Sequence, residues 1–299
     1  MTAKVVAVCN MKGGVGKTTV VVGLAETLAA VGADGKRLEV LVIDLDAQAN
    51  ASYCIAGDEL LDELIVKRRT IDVFFRETFF EGHRRHLADF VRPNASALRS
   101  AGKVISLSLI CSSAELRYTE REIIYALTKN GVAFDKIESQ VRDLVLQEVS
   151  ALRKKFDLIL FDCPPGISIF TEAVLKASDL IIAPVIPDGL SSLGLTVFCR
   201  RVLTAPRRPG ALRLPWVLAN RVQPTRLANR RLQEMSLEAS QSDAGFRLFN
   251  AQITQSAVLA QAMEYDTDGA PTYATKYGTA RPMLQDLADE MLEVLHAHG

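Results

Sequence analysis

Cysteine is scarce and scattered in this chain of 299 residues: Cys9, Cys54, Cys111, Cys163 and Cys199 are odd in number, and no two form a C-x-x-C pair. This pattern argues against a disulfide framework and a zinc site, and fits buried, reduced thiols in a cytosolic protein. Long hydrophobic runs are missing too. Glu26, Pro184 and Pro187 cut the apolar stretches well short of the ~18 residues that a membrane span needs. The opening MTAKVVAVCNMKGG has no basic segment leading into an apolar core and a small-residue cleavage site, so no secretory leader is expected. Net charge is also absent, with 35 Lys and Arg against 35 Asp and Glu. Apolar residues are plentiful at 48%, which is enough for a buried core and excludes a disordered chain.

The zero net charge conceals an uneven distribution. Residues 189–233 contain nine arginines (Arg200, Arg201, Arg207, Arg208, Arg213, Arg221, Arg226, Arg230 and Arg231), no lysine and no acid. Residues 234–299 contain 10 acids and 3 basic residues. Such a basic block reads as a patch for a phosphate-rich partner. The plainer alternative is that these arginines pair with the acidic tail and solvate a surface.

Strand and helix patterns alternate along the chain. Strands are expected at Lys4–Cys9, Leu38–Ile43 running into Asp44, Val104–Cys111, Leu158–Phe161 ending at Asp162, Leu180–Pro184, Leu214–Ala219 and Phe246–Phe249. Helices are expected at Thr19–Val31, Glu115–Lys129, Lys136–Lys155, Ile169–Ala177, Leu190–Leu203, Thr225–Ala239, Ser256–Met263 and Thr279–His298. Residues 50–103 are weakly periodic and read as short helices and loops. Continuous apolar strands alternating with helices predict an α/β fold, a doubly wound, mostly parallel sheet with helices on both faces. No repeat or linker stands out, so residues 1–299 are read as a single domain. Asp44, Asp162 and a glycine-rich turn fall at strand carboxyl ends, where such folds bind ligands.

That turn is Met11-Lys12-Gly13-Gly14-Val15-Gly16-Lys17-Thr18-Thr19, between a strand and a helix. Glycines let backbone N–H groups close around phosphate oxygens, and the helix N-terminus adds partial positive charge. Lys17 can reach the β- and γ-phosphates, and the Thr18 hydroxyl can bind Mg2+. The chain departs from the pattern G-x-x-x-x-G-K-[ST] only at Met11, which holds the first glycine position. Gly13, Gly14, Val15, Gly16, Lys17, Thr18 and Thr19 are the expected nucleotide contacts.

With its second lysine, KGGVGKTT resembles the deviant Walker A loop of the ParA/MinD family of P-loop NTPases. Asp44-Leu45-Asp46-Ala47-Gln48 resembles that family's switch I segment, DxDPQ, with Ala47 in place of proline. Asp157-Leu-Ile-Leu-Phe-Asp162-Cys-Pro-Pro165 resembles its Walker B strand. Weaker matches are Ile110–Leu116, Ala183–Pro187, Ala219–Val222 and Gly269-Ala-Pro271. The resemblance covers almost the whole chain. It implies that Lys12 reaches the phosphates of a partner subunit, that Asp46 activates the attacking water, and that Asp44 and Asp162 act on Mg2+ and its water shell. It also places Pro187 and Asn220 beside adenine. Residues 50–103 are longer than the compact family core.

The resemblance further implies a slow, partner-stimulated ATPase that uses ATP/ADP and Mg2+ and becomes a sandwich homodimer on binding ATP. Such a dimer binds DNA non-specifically and segregates plasmid, chromosome or other cargo through a ParB-like adaptor, in the cytoplasm and on the nucleoid. Charge clustering selects Arg207, Arg208, Arg226, Arg230 and Arg231 as DNA contacts. The first strand begins at Lys4, so no N-terminal helix-turn-helix domain is expected. The last helix is amphipathic but acidic, so it is expected to pack on the core rather than on a membrane. Cys111 and Cys163 lack the glycine-rich flanks of a cluster-binding iron protein. Tyr265, Tyr273 and Tyr277 are spaced as packing residues rather than as kinase sites. An ATP-dependent small-molecule synthetase of the same P-loop class is the alternative, and Lys12 speaks against it.

Overall fold

The computed structural model describes residues 2–32, 36–82, 85–188, 195, 198–199, 210–212, 214–264 and 271–297. The helix expected at 190–203, apart from Leu195, Phe198 and Cys199, lies outside the described residues, as do Arg207, Arg208 and Tyr265.

Strands β1 (Lys4–Val8), β2 (Val40–Asp44), β5 (Leu107–Ile110), β6 (Leu158–Asp162), β7 (Leu180–Val185), β8 (Trp216–Val222) and β9 (Arg247–Thr254) form one sheet in the order β5-β2-β6-β1-β7-β8-β9. Every pairing in it is parallel. A two-stranded antiparallel ribbon, β3 (Arg99–Ser100) and β4 (Lys103–Val104), stands apart. The strand expected at Val104–Cys111 is thus two strands of different sheets. Helices of both faces explain the unbroken apolar runs: all five residues of β2 and of β6 are buried.

One face is covered by α1 (Lys17–Ala30), α2 (Asn50–Val66) and α10 (Arg281–Ala297). The acidic terminal helix therefore packs its apolar stripe on the core. Gly23 lets it in, because a Cβ there would lie 2.8 Å from a Leu284 methyl carbon. The other face is covered by α3 (Ile71–Arg76), α4 (Leu116–Lys129), α5 (Phe134–Leu152), α6 (Ile169–Ala177) and part of α7 (Arg226–Ala239). All five cysteines are buried, and none of them is in a disulfide.

Within residues 50–103, α2 is a long helix broken at Gly57, whose φ of 74° leaves the helical region. Strand β9 runs five residues past the expected Phe249, because it is the sheet's edge and its second half alternates exposed and buried positions. Two short helices follow, α8 (Ala257–Gln261) and α9 (Tyr273–Tyr277). Helix α9, which the sequence pattern did not reveal, locks the tail onto α1. Tyr277 donates to Glu26 at 2.7 Å, and Lys276 pairs with the same buried carboxylate at 2.8 Å. Tyr273 and Thr27 share a hydroxyl hydrogen bond of 2.9 Å. These two tyrosines are packing residues, as their spacing suggested.

Candidate nucleotide site

The chain lays down β2, β5 and β6 on one side of β1, then β7, β8 and β9 on the other. The order reverses at β1, and the crevice beyond its carboxyl end is the place where a doubly wound sheet holds a ligand. The glycine turn fills that place. Gly14 (φ 73°) and Gly16 (φ 85°) are left-handed, a conformation that turns successive N–H groups into an anion-binding concavity. Gly16 caps α1, so the helix dipole points at the same spot.

Lys17 is buried, and its ammonium donates to the Lys12 carbonyl at 3.3 Å. The Thr18 hydroxyl donates to Asp162 Oδ2 at 2.8 Å. Asp44 and Asp162 end neighbouring strands in register, and both are fully buried. Asp44 accepts hydrogen bonds from Ser52 N (2.9 Å), Ser52 Oγ (2.7 Å) and Asp46 N (3.0 Å). Burial outweighs these bonds and pushes its carboxyl up to about 6. Burial, and then the neighbouring Asp44 charge, holds Asp162 well above the ordinary carboxylate range. Asp162 Oδ1 is buried with no hydrogen-bond partner.

An orphaned carboxylate oxygen beside a threonine hydroxyl is an all-oxygen donor set, which suits a hard divalent cation such as Mg2+. Among the described residues no cluster of three or more His, Cys, Asp and Glu side chains could hold a metal by itself. Mg2+ needs none, since it commonly binds through one or two carboxylates together with substrate phosphates.

Asp46 is half-buried, and its Oδ1 accepts from Gln48 N at 3.0 Å. Lys12 stands at the rim, its ammonium 3.5 Å from Asp188 Oδ2. Asn10 ties the loop to β7, donating to the Pro184 carbonyl at 2.7 Å and accepting from Lys12 N at 3.1 Å. Beside the turn lies a cavity of about 540 Å³, whose lining includes Gly14, Gly16, Thr19, Asn220, Arg221, Thr254 and Gln255. Asn220 is buried there and donates to the Val15 carbonyl at 2.7 Å, whereas Pro187 is buried without lining it. The wall formed by Thr254 and Gln255 was not apparent from sequence, which broke β9 off too early. Arg221, which belongs to the Ala219–Val222 match as well as to the arginine block, faces the same cavity.

The structure places the remaining arginine candidates, Arg226, Arg230 and Arg231, on α7. Thr225 caps the helix, accepting from Ala228 N at 3.1 Å. Arg230 and Arg231 both bond to Glu234, at 3.0 and 2.6 Å. Their partner is thus an acid one turn along their own helix, the first beyond the acid-free block. Arg226 is exposed in the first turn.

Comparisons with known proteins follow the same lines. A family model described as an AAA domain matches residues 3–208. The sporulation initiation inhibitor protein Soj of Bacillus subtilis (strain 168) is 30% identical over 199 residues, 65% of this chain and 64% of Soj. The match therefore spans a little under two thirds of that relative. Among solved structures, apo McdA of Cyanothece aligns with a TM-score of 0.68 at 18% identity, covering 97% of this chain and 99% of McdA. The pNOB8 ParA bound to nonspecific DNA aligns with a TM-score of 0.66 at 18% identity, covering 99% and 98%. At such identities the two structures speak for the fold.

Proposed function

The chain belongs to the ParA/MinD family of deviant Walker A P-loop ATPases, and we propose that it is itself a ParA-type partition ATPase that hydrolyses ATP to ADP and phosphate. The observation that carries this reading is the Lys17–Thr18–Asp162 constellation, with its unpartnered carboxylate oxygen, at the carboxyl end of β1. Residues 1–299 act as one ATPase domain, with 50–103 as its elaboration.

In this reading the backbone N–H groups of Gly13–Thr19 cradle the phosphates and the base enters the cavity beside Asn220. Thr18, Asp162 and Asp44 would hold Mg2+, directly or through its water. Bound Mg2+ would offset charge on the β- and γ-phosphate oxygens. Asp46 orients a water toward the γ-phosphorus. The new P–O bond forms as the bond to the β-phosphate oxygen breaks, and ADP leaves with that electron pair. The proton of the attacking water passes to Asp46 or to the departing phosphate. Lys17 leaves the Lys12 carbonyl for phosphate oxygens.

Lys12 is the residue whose role needs a second subunit. It sits half exposed at the rim, beside exposed Met11. Two triphosphates face to face require extra cations, and a lysine from each subunit supplies one to the other. The ATP dimer then binds DNA without sequence preference through its arginines, and a cargo-bound, ParB-like adaptor stimulates hydrolysis and release. This places the protein in the cytoplasm, on the nucleoid. No helix among the described residues is long and apolar enough to cross a membrane. The DNA-bound ParA neighbour supports the DNA step, as does the arginine block.

The test is binding to random-sequence duplex DNA without nucleotide, with ADP and with ATP–Mg2+, across a salt series. Binding that needs ATP and falls steeply with salt is expected. No binding in any nucleotide state would overturn the partition reading and favour the small-molecule synthetase. Lys12→Ala is expected to abolish ATP-induced dimerisation in size-exclusion runs. A dimer that survives this change removes the cross-subunit role of Lys12.

A further inference from the structure

Strand β8 carries an irregularity that sequence reading did not anticipate. Asn220 pairs with Ile253 and Val222 with Thr254, so β8 advances two residues while β9 advances one. Arg221 is the extra residue, a bulge with φ 52°. An arginine in the left-handed region is uncommon and strained. Bulges beside active sites re-aim side chains, and this one turns two of them onto the glycine loop. Arg221 Nη1 donates to the Gly14 carbonyl at 3.1 Å. Asn220 Nδ2 donates to the Val15 carbonyl at 2.7 Å. Arg221 N in turn donates to Asn220 Oδ1 at 3.0 Å, which fixes the amide's orientation. Gly16 is required for this approach, since a Cβ there would stand 2.2 Å from Asn220 Nδ2.

The consequence follows from peptide geometry. A trans peptide is planar, and its C=O and N–H point in opposite directions. Holding the Gly14 carbonyl on one side aims the Val15 N–H to the other, and holding the Val15 carbonyl does the same for the Gly16 N–H. We propose that Asn220 and Arg221 form a clamp behind the phosphate loop that presets the Val15 and Gly16 N–H groups toward the β-phosphate. They act as positioning residues. Arg221 is exposed, and a surface hydrogen bond of this kind contributes little to folding. The strained backbone and the charged donor instead serve a loop that would otherwise pay the ordering cost on binding its ligand.

This inference rests on the nucleotide-binding reading above, and the test separates the two. The full-length chain is titrated calorimetrically with ADP and with AMP in the same Mg2+ buffer, alongside Arg221→Ala, Arg221→Lys and Asn220→Leu. Melting curves accompany each variant. Arg221→Ala is expected to weaken ADP about tenfold, the worth of one charge-assisted hydrogen bond, and AMP by clearly less, while the melting temperature holds. The ratio of ADP to AMP affinity therefore falls. Arg221→Lys recovers part of that ratio. Asn220→Leu keeps the Arg221 charge but removes the second donor, and it lowers the ratio as well. A ratio unchanged in Arg221→Ala overturns the clamp. So does a ratio that falls in Arg221→Ala but not in Asn220→Leu, which would assign the effect to charge alone. If the wild-type chain binds neither nucleotide, the site reading itself fails and takes the clamp with it.

Discussion

Two aspartates are buried at opposite ends of the same parallel sheet, and their surroundings are opposite in kind. At the amino end, Asp179 accepts from Val5 N and from Arg153 Nη1, each at 2.7 Å. Arg153 also donates from Nη1 to the Ala3 carbonyl at 2.6 Å and from Nη2 to the Ala177 carbonyl at 3.0 Å. At the carboxyl end, Asp162 has the Thr18 hydroxyl and one oxygen without a partner. The first aspartate has its cation built in. The second is held ready for one that arrives with a ligand. A buried, unmet charge costs stability, so its persistence marks the end of the sheet where chemistry is done. Glu148 lies between these cases: it is buried, accepts from Leu87 N at 2.8 Å, and faces His86 Nδ1 at 3.0 Å, a cation only when protonated.

The contrast is broken most forcefully at Arg153. Replacing it with methionine keeps much of its volume but leaves Asp179 buried and unpaired. A loss of about 3–5 kcal/mol is expected, read from the denaturant midpoint. Adding Asp179→Leu to Arg153→Met should recover much of that loss, because the stranded charge is then gone.

The same logic reverses at the other end. Asp162→Asn removes a charge that the folded apoprotein holds at a cost. In Mg2+-free buffer its unfolding free energy should lie within about 1 kcal/mol of the wild type, or above it. Phosphate release from ATP should nevertheless fall by on the order of a hundredfold or more. If Asp162→Asn unfolds as readily as Arg153→Met, Asp162 is a structural anchor, and the contrast between the two ends disappears.

How much of this was legible in the sequence depends on distance along the chain. The glycine turn, Asp44 and Asp162 could be read because each is a local event, an apolar run that stops at a turn or an acid. The parallel sheet followed from the same runs. What stayed hidden was long-range. Arg221 reaches Gly14 across 207 positions, and Tyr277 reaches Glu26 across 251. No local periodicity encodes such a meeting. Strand β9 was cut short because its edge position leaves Asn250, Gln252 and Thr254 at the polar end of the pattern. The arginine block was visible as charge, but the placement of Glu234 between Arg230 and Arg231 depends on helical phase.

The smallest effect sharpens the intermediate case. Its hydrogen bond to Glu148, and then the charge of that carboxylate, hold His86 above its ordinary value, with Asp89 adding in the same direction and solvent loss opposing. A histidine raised in the folded state stabilises fully below its unfolded value, about 6.5. That contribution fades as pH climbs through the higher folded value. Wild-type stability should therefore drop more between pH 6 and pH 8 than that of His86→Gln, whose amide can still donate to Glu148 but does not titrate. The imidazole is largely exposed, so the difference is small and calls for parallel denaturation curves at both pH values. Equal slopes in the two proteins would show that Glu148 is satisfied by Leu87 N alone. It would then stand with Asp179, as a carboxylate whose needs the fold already meets.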